Sequence, residues 1–483
     1  MEYGNLEGGV PGWPRRAPAT TYAAFGATWV KFSGIEWGKI VPRAGLKACS
    51  GYAWGQLDAW VKEWQEAGFQ IQVVLRSKST WATQPAYRKD LLGGFGLTPS
   101  TPPKPDQWEA YGDFVRCVVE RYDGDGVDDM PGLRRPILDY EIESEVAVEI
   151  YWQGTAEEYL HLLKLAYEQA KAANPRARII ASGLGIGDIF DDGAGAEVWT
   201  PRMTGLRARF INNKDMLAVF DRAQGFLDLV VQHPEAFDVV EFHWLTDYKA
   251  LPGGVAWIRE EMTRRGYQKP VWAGDATSAL NLLVAPAYFP DKPFKAADRQ
   301  RLVGILNDPK NAAYVETERW FRAEQAKLTV KKLVTGMAAG LEGVNLCCLQ
   351  DWGIASGFPF QGLTDENQRP RPVLYSYGLV TQKLAGHSQV KALALGKNVY
   401  AYQLTVGGKP VTVLWYDDGR AYLPREAEPL AQVDLPFPAA QARLTRTVTE
   451  PGQTELKVEI LAASGGRLRL TLDGTPVFVE ADE

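Results

Sequence analysis

The chain has 483 residues, 46% of them apolar and 23% charged, and carries a net charge of −6. That length exceeds one ordinary core and predicts a large domain with a smaller one beside it. Mild acidity without a basic stripe argues against nucleic acid as a partner, and no apolar run approaches the roughly 18 residues that a membrane span needs. The opening stretch, MEYGNLEGGVPGWPRR, lacks the apolar segment of a signal peptide. The expected location is therefore the cytoplasm, or an extracellular or periplasmic space if a signal has been trimmed. The four cysteines, Cys49, Cys117, Cys347 and Cys348, are too few and scattered to predict a disulfide framework or a zinc site. Cys347 and Cys348 are expected to face opposite sides of one strand as small core residues.

In chain order, residues 3–6 read as a short strand, followed by a Pro/Gly-rich loop and a weak helix near 17–25. Residues 27–32 (ATWVKF) read as a buried strand with Lys31 as a polar intruder. Over 56–67, Leu57, Trp60, Val61 and Trp64 recur at helical spacing, and Gly68 ends the helix. A strand is expected at 69–75, then a helix capped by Asp106 with Glu109 three residues on.

Residues 139–146 (DYEIESEV) read as a strand that runs into a polar mouth, with Glu141, Glu143 and Glu145 on one face. Three carboxylates crowded on one face raise the pKa of at least one, as a general acid requires. A solvated edge strand would carry the same pattern, so the neighbouring elements decide. Thr155 and Glu158 form a capping box for the following helix, which Pro175 ends. Strands are expected at 177–181, 237–244, 270–273 and 344–349, with helices at 216–231, 257–265 and 312–328. Eight strands alternating with helices predict a closed (β/α)8 TIM barrel over residues 1–385. From 386 to 483 short alternating strands, including a hairpin at Gly407-Gly408, predict an antiparallel β-sandwich. The fold class is α/β with this C-terminal accessory domain.

Barrel sites form where strand C-terminal ends meet, which selects Lys31, Glu141, Glu143, Ser144, Glu145, Glu241, His243, Asp275 and Asp351. Glu145 and Asp275 fall on facing walls: two carboxyl groups, the minimum for cleaving a glycosidic bond. Trp37, Trp81, Trp152, Trp244 and Trp352 fall just beyond strands, where they and Tyr248 would stack on sugar rings.

The chain resembles the clan A glycoside hydrolases, near the β-xylosidase and endoglycosidase types with a barrel and a sandwich. WVKFSGIEWGKIVP, DYEIESEV with the helix after it, KPVWAGDATS, GLEGVNLCCLQDWG and GRLRLTLDGTPVFVE carry the resemblance. It implies that Glu145 is the acid/base and Asp275 the nucleophile, with Lys31, Ser144, Glu241 and His243 orienting sugar and carboxylates. Three positions depart from the clan's pattern. Asp275 stands for a Glu, Ser144 for the Asn before the acid/base, and Lys31 for an Arg on the second strand.

The shorter Asp275 side chain could widen the carboxyl separation toward the inverting range. Three outcomes follow for an oligo- or polysaccharide substrate: retention, inversion with Asp275 or Glu241 as base, or a sugar-binding barrel without catalysis. Neither a metal nor another cofactor is expected. Asp123–Asp129 has oxygen ligands at calcium-like spacing but lacks the glutamate of an EF-hand loop, and reads as a turn.

Overall fold

The computed structural model describes residues 5–8, 16–46, 48–87, 98–185, 188–280, 282, 287–351 and 362–482. Eight parallel strands close into a barrel: β1 (Asn5–Gly8), β2 (Trp29–Glu36), β3 (Gln70–Arg76), β4 (Asp139–Ile142), β5 (Arg178–Gly185), β6 (Val239–Trp244), β7 (Val271–Thr277) and β8 (Gly343–Cys347). Closure is made by β1 pairing with β8 through Asn5↔Asn345 and Leu6↔Leu346. Amphipathic helices cover the outside, among them Gly55–Glu66, Ala156–Ala173 and Lys214–Gln232. Thr155 caps as expected: its hydroxyl accepts from the Glu158 N–H, and the Glu158 carboxylate accepts from the Thr155 N–H. Asp106 does not cap. The helix there starts at Trp108, after Gln107, with no side-chain cap.

The barrel interior is built in layers set by the alternation of each strand. At the N-terminal end Trp29, Ile180, Val239 and Trp272 form an apolar plug, the two indoles meeting edge to face at 4.9 Å. Two residues further along three of these strands the inward positions are Lys31, Glu241 and Gly274, and β3 and β4 supply Gln72 and Glu141. The core above the plug is therefore polar, and a packed apolar floor closes it from below.

After the helix Pro372–Leu384 the chain enters β9 (Gln389–Ala392), β10 (Val399–Val406), β11 (Lys409–Tyr416), β12 (Ala431–Pro436), β13 (Gln441–Arg446), β14 (Val458–Ala462), β15 (Arg467–Leu472) and β16 (Val477–Ala481). Six of these make one antiparallel sheet and β12 pairs with β15. Leu414, Leu444 and Val479 face Val433, Leu468 and Leu470 between the two sheets. The opposite face of the large sheet, with Leu404, Val413, Trp415 and Phe478, joins the barrel's own hydrophobic core. This sheet is thus buried on both sides, which fuses the two domains.

The cysteines correct the sequence reading. Cys49 and Cys117 form a disulfide across 68 residues, tying the loop after β2 to the helix Trp108–Arg121. Cys347 and Cys348 are bonded to each other. Facing opposite sides requires a continuing strand, and β8 ends at Cys347.

Candidate active site

The acidic stretch is not one continuous strand. β4 stops at Ile142, and Glu143 and Glu145 both take left-handed backbone conformations, with φ of 64° and 45°. Such conformations cost a non-glycine residue on the order of 1 kcal/mol or more and occur where surrounding contacts enforce them. The turn sends the three glutamates to three different places, so the expectation of one shared face is corrected. Glu141 points into the barrel. Glu143 is buried sideways, accepting from the Ser77 N–H at 2.5 Å with Arg76 Nε 3.6 Å away, and braces the turn against the end of β3. Glu145 reaches the mouth, and half-buried Ser144 lies on the turn between them.

At the mouth His243 Nδ1 lies 2.6 Å from Glu145 Oε1 and 4.0 Å from Asp275 Oδ2, and Nε2 lies 3.6 Å from Glu241 Oε1. One ligating atom each from Glu145, His243 and Asp275 falls within 4.8 Å of the others. Asp275 reaches this position through a local irregularity. Phe242 pairs with Ala273 but His243 pairs with Asp275, so β7 carries an extra residue at Gly274 that re-aims the next side chain inward. Two glycines hold space for the cluster. A Cβ on Gly274 would sit 1.4 Å from Glu241 Oε1, and one on Gly183 would sit 2.0 Å from the His243 ring.

Beneath the mouth, Lys31 is 1% exposed and Glu141 and Glu241 are 0% exposed. The Lys31 ammonium lies 2.6 Å from Glu141 Oε2 and donates to Glu241 Oε1 at 2.7 Å and to the Gly274 carbonyl at 3.0 Å. Gln72 donates to both carboxylates at 3.2 Å, and Asn345 also donates to the Gly274 carbonyl, at 3.0 Å. The place where a cation between the two glutamates would sit is already filled by an ammonium.

One ammonium between two buried carboxylates cannot fully charge both. Burial, then the neighbouring Glu241, pushes the Glu141 carboxyl well up despite Lys31. Burial works in the same direction on Glu241, but Lys31 and His243 outweigh it and hold that carboxyl below its ordinary range. For His243, burial opposes the charge, yet its hydrogen bond to Glu145, the nearby Glu241 carboxylate and the charge of Asp275 raise it well above the ordinary imidazole value. The surrounding carboxylates thus favour the protonated imidazole beside Glu145.

The remaining expected residues divide by burial. Trp37 and Trp152 are fully buried, Trp37 among Trp81, Tyr111 and Phe114, and neither has a face to offer a sugar. Trp244 is buried against the Lys332 ammonium, which lies 4.7 Å from its ring, and Tyr248 is buried with its hydroxyl donating to Asp417 of the sandwich. These four expected stacking residues are corrected to packing. The cause is common: each follows a strand end but points outward into the helix or sandwich layer. Trp81 is half-buried. Trp352 lies outside the described residues. Asp351 is a strut, bound by Arg322 and Arg371 at 2.7 and 2.9 Å. In the loop 123–129 the carboxylates of Asp123, Asp125 and Asp129 accept from the loop's own backbone N–H groups.

Sequence reasoning missed Gln72, Asn345 and Arg222. The first two carried the signal that exposed Lys31, a polar residue at an inward position of an apolar strand. Arg222, on the helix Lys214–Gln232, donates to the carbonyls of Val146, Ala147, Trp152 and Gly154 at 2.9 to 3.2 Å and clamps the loop after Glu145.

The fold is that of solved glycoside hydrolases. A glucosidase from Croceicoccus marinus matches with a TM-score of 0.60 at 11% identity, over 99% of this chain and 94% of that one. A GH39 β-xylosidase from Caulobacter crescentus matches with a TM-score of 0.57 at 13% identity, over the whole of both chains. A GH30 endoxylanase from Clostridium papyrosolvens C71 matches with a TM-score of 0.54 at 12% identity, over 100% and 96%. No protein-family model and no curated protein matches the chain. The barrel with its appended sandwich is thus a fold shared with these solved structures, at 11–13% identity.

Proposed function

We propose that the chain is a retaining O-glycosyl hydrolase of an oligo- or polysaccharide, with Glu145 as acid/base and Asp275 as nucleophile. The observation that carries this reading is the convergence of Glu145, His243 and Asp275 within 4.8 Å at the C-terminal mouth. A short separation suits retention, where the carboxyls stand about 5–5.5 Å apart, and leaves no room for the water that inversion places between them. Glu145 and Asp275 are also the accessible members of the cluster, their side chains 16% and 20% exposed. In the first step Asp275 attacks the anomeric carbon while Glu145 gives its proton to the leaving oxygen, and the glycosidic bond breaks. In the second, Glu145 takes a proton from water, whose oxygen displaces Asp275 from the sugar. His243 lies between the two carboxylates, 2.6 Å from Glu145 and 4.0 Å from Asp275, and fixes their positions. Lys31 and Glu241 lie too deep to touch substrate and act by fixing His243, while Ser144 and Trp81 remain available to the sugar. Xylose- and glucose-containing substrates are the first to try, because the matched structures include a xylosidase, an endoxylanase and a glucosidase.

The test is turnover of aryl glycosides, xylans and glucans by wild type, Glu145→Gln and Asp275→Asn, with the anomer of the first product followed by NMR. We expect kcat/KM to fall by roughly 10²–10⁴ in Glu145→Gln and the product to keep the substrate's configuration. An inverted product would sink the retaining mechanism. Sugar binding without turnover across the panel would replace the enzyme with a carbohydrate-binding barrel.

A further inference from the structure

Behind the β6–β7 wall lies a second opening. Trp244, the residue after His243, packs outward, and its indole N–H donates to the Asp247 carbonyl at 2.9 Å. Beyond it, the segment after β6, the first residues after β7 and the sandwich segment around 416–422 enclose a cavity of about 290 Å³. None of Glu145, His243 or Asp275 lines it.

The walls select a ligand class. Tyr400, Tyr416 and Tyr422 contribute partly exposed rings, and Leu245 is 40% exposed at the edge. Most of the charged groups deepest in the wall are paired with one another. Asp417 lies 3.1 Å from Lys249 and 3.6 Å from Lys331, and Lys327 lies 2.8 Å from Glu324 and also pairs with Glu428. A strongly charged ligand would meet the like-charged member of one of these pairs, and an apolar one would strand polar edges without partners. A neutral molecule rich in hydroxyls can donate and accept along such a wall while laying its C–H face on tyrosine. Asp191 adds a specific acceptor: its Oδ1 is buried and meets no donor among the described residues. Burial, then Asp247, pushes the Asp191 carboxyl up to about 8, so at neutral pH it can also donate.

We propose that this cavity is a second carbohydrate site, holding a neutral sugar unit between barrel and sandwich. The inference rests on the proposed polysaccharide substrate. A site formed jointly by the strand-end loops and the sandwich would anchor a chain at a fixed offset from the cleaving carboxyls, and it gives the sandwich a part in binding.

The experiment uses the full chain carrying Glu145→Gln, titrated calorimetrically with xylohexaose and with cellohexaose, and followed by peptide-level hydrogen exchange. The expected result is protection of residues 416–422 and 245–249 in addition to the barrel mouth. Ala421→Trp, which fills the cavity, should weaken the second binding event at least tenfold and abolish protection at 416–422. Leu245→Asp serves as a second variant should the first fold poorly. Absence of protection at 416–422 at saturating oligosaccharide, or protection unchanged in both variants, would overturn the proposal. Protection at 416–422 with none at the mouth, and no turnover by wild type, would uphold this site while removing the catalytic reading.

Discussion

Two clusters of buried charge, built from the same residue types, behave in opposite ways. At the join between barrel and sandwich, Asp417 accepts from the Tyr248 hydroxyl at 2.7 Å with Lys249 and Lys331 on either side. Burial opposes its charge, but the two lysines and the hydroxyl prevail and hold it at about 2. Inside the barrel the ratio is reversed: one ammonium, Lys31, faces Glu141 and Glu241. There one carboxyl is pushed up, and the neighbouring carboxylates favour the charged form of His243. Cations in excess stabilise an interface; carboxylates in excess make a proton store. The first arrangement serves the fold, and the second is what proton-transfer chemistry needs.

The comparison breaks most visibly at Lys31. Lys31→Met leaves two buried carboxylates facing each other, and losing one partner of a buried ion group costs about 3–5 kcal/mol. The sign follows from Glu141, whose carboxyl burial and Glu241 already push up. With no ammonium to oppose them it titrates higher still above its unfolded value, so the penalty is full at neutral pH and fades as pH falls toward about 4. Urea unfolding at pH 7 and pH 4.5 checks this; an equal cost at both would mean that Lys31 contributes packing and not charge. Asp417→Asn tests the other cluster. Its folded pKa lies below the ordinary value of 3.8, at about 2, so its stabilisation is present above the unfolded pKa and lost as pH falls through about 2. The shift corresponds to about 2 kcal/mol at neutral pH. Wild type and variant should therefore converge between pH 4 and pH 2, and a gap that persists in acid would show that Asp417 acts through shape alone.

How much of this was legible in the chain varies with the physics involved. Strand and helix periodicity exposed the barrel, because alternation and 3.6-residue spacing are local properties. The capping box at Thr155 was readable for the same reason, whereas Asp106, with Glu109 three residues on as in a capping box, does not cap. Lys31, Glu241, His243 and Asp275 were readable as polar interruptions of apolar strands, although Lys31 and Glu241 lie within their strands and not at the ends. The fate of Glu143 and Glu145 was not, since a left-handed turn after Ile142 is enforced by Ser77, Arg76 and Arg222, contacts made across 66 to 76 residues of sequence. Tryptophans misled for a related reason: position after a strand says nothing about which side of the wall a ring will take. The disulfide between Cys49 and Cys117 depends on two loops meeting, which spacing alone does not encode.

Arg222 sets the smallest of these effects and the one that speaks most directly to geometry. Its guanidinium is shared among four loop carbonyls, and such hydrogen bonds to a charged group contribute about 1.5–3 kcal/mol in favourable cases. Arg222 is only partly buried, so Arg222→Ala should cost about 1–2 kcal/mol of stability. The sharper readout is kinetic. Glu145 holds its left-handed backbone against an intrinsic preference for ordinary conformations, and the clamp lies immediately after it. Releasing the clamp lets the turn relax and draws the carboxyl away from His243, which should lower kcat about tenfold, equivalent to about 1.4 kcal/mol of positioning. A structural role alone would leave kcat intact in the folded fraction, and faster hydrogen exchange over residues 146–154 should accompany the catalytic loss. Full kcat with a loosened loop would place the control of Glu145 in its bond to His243 and not in its backbone.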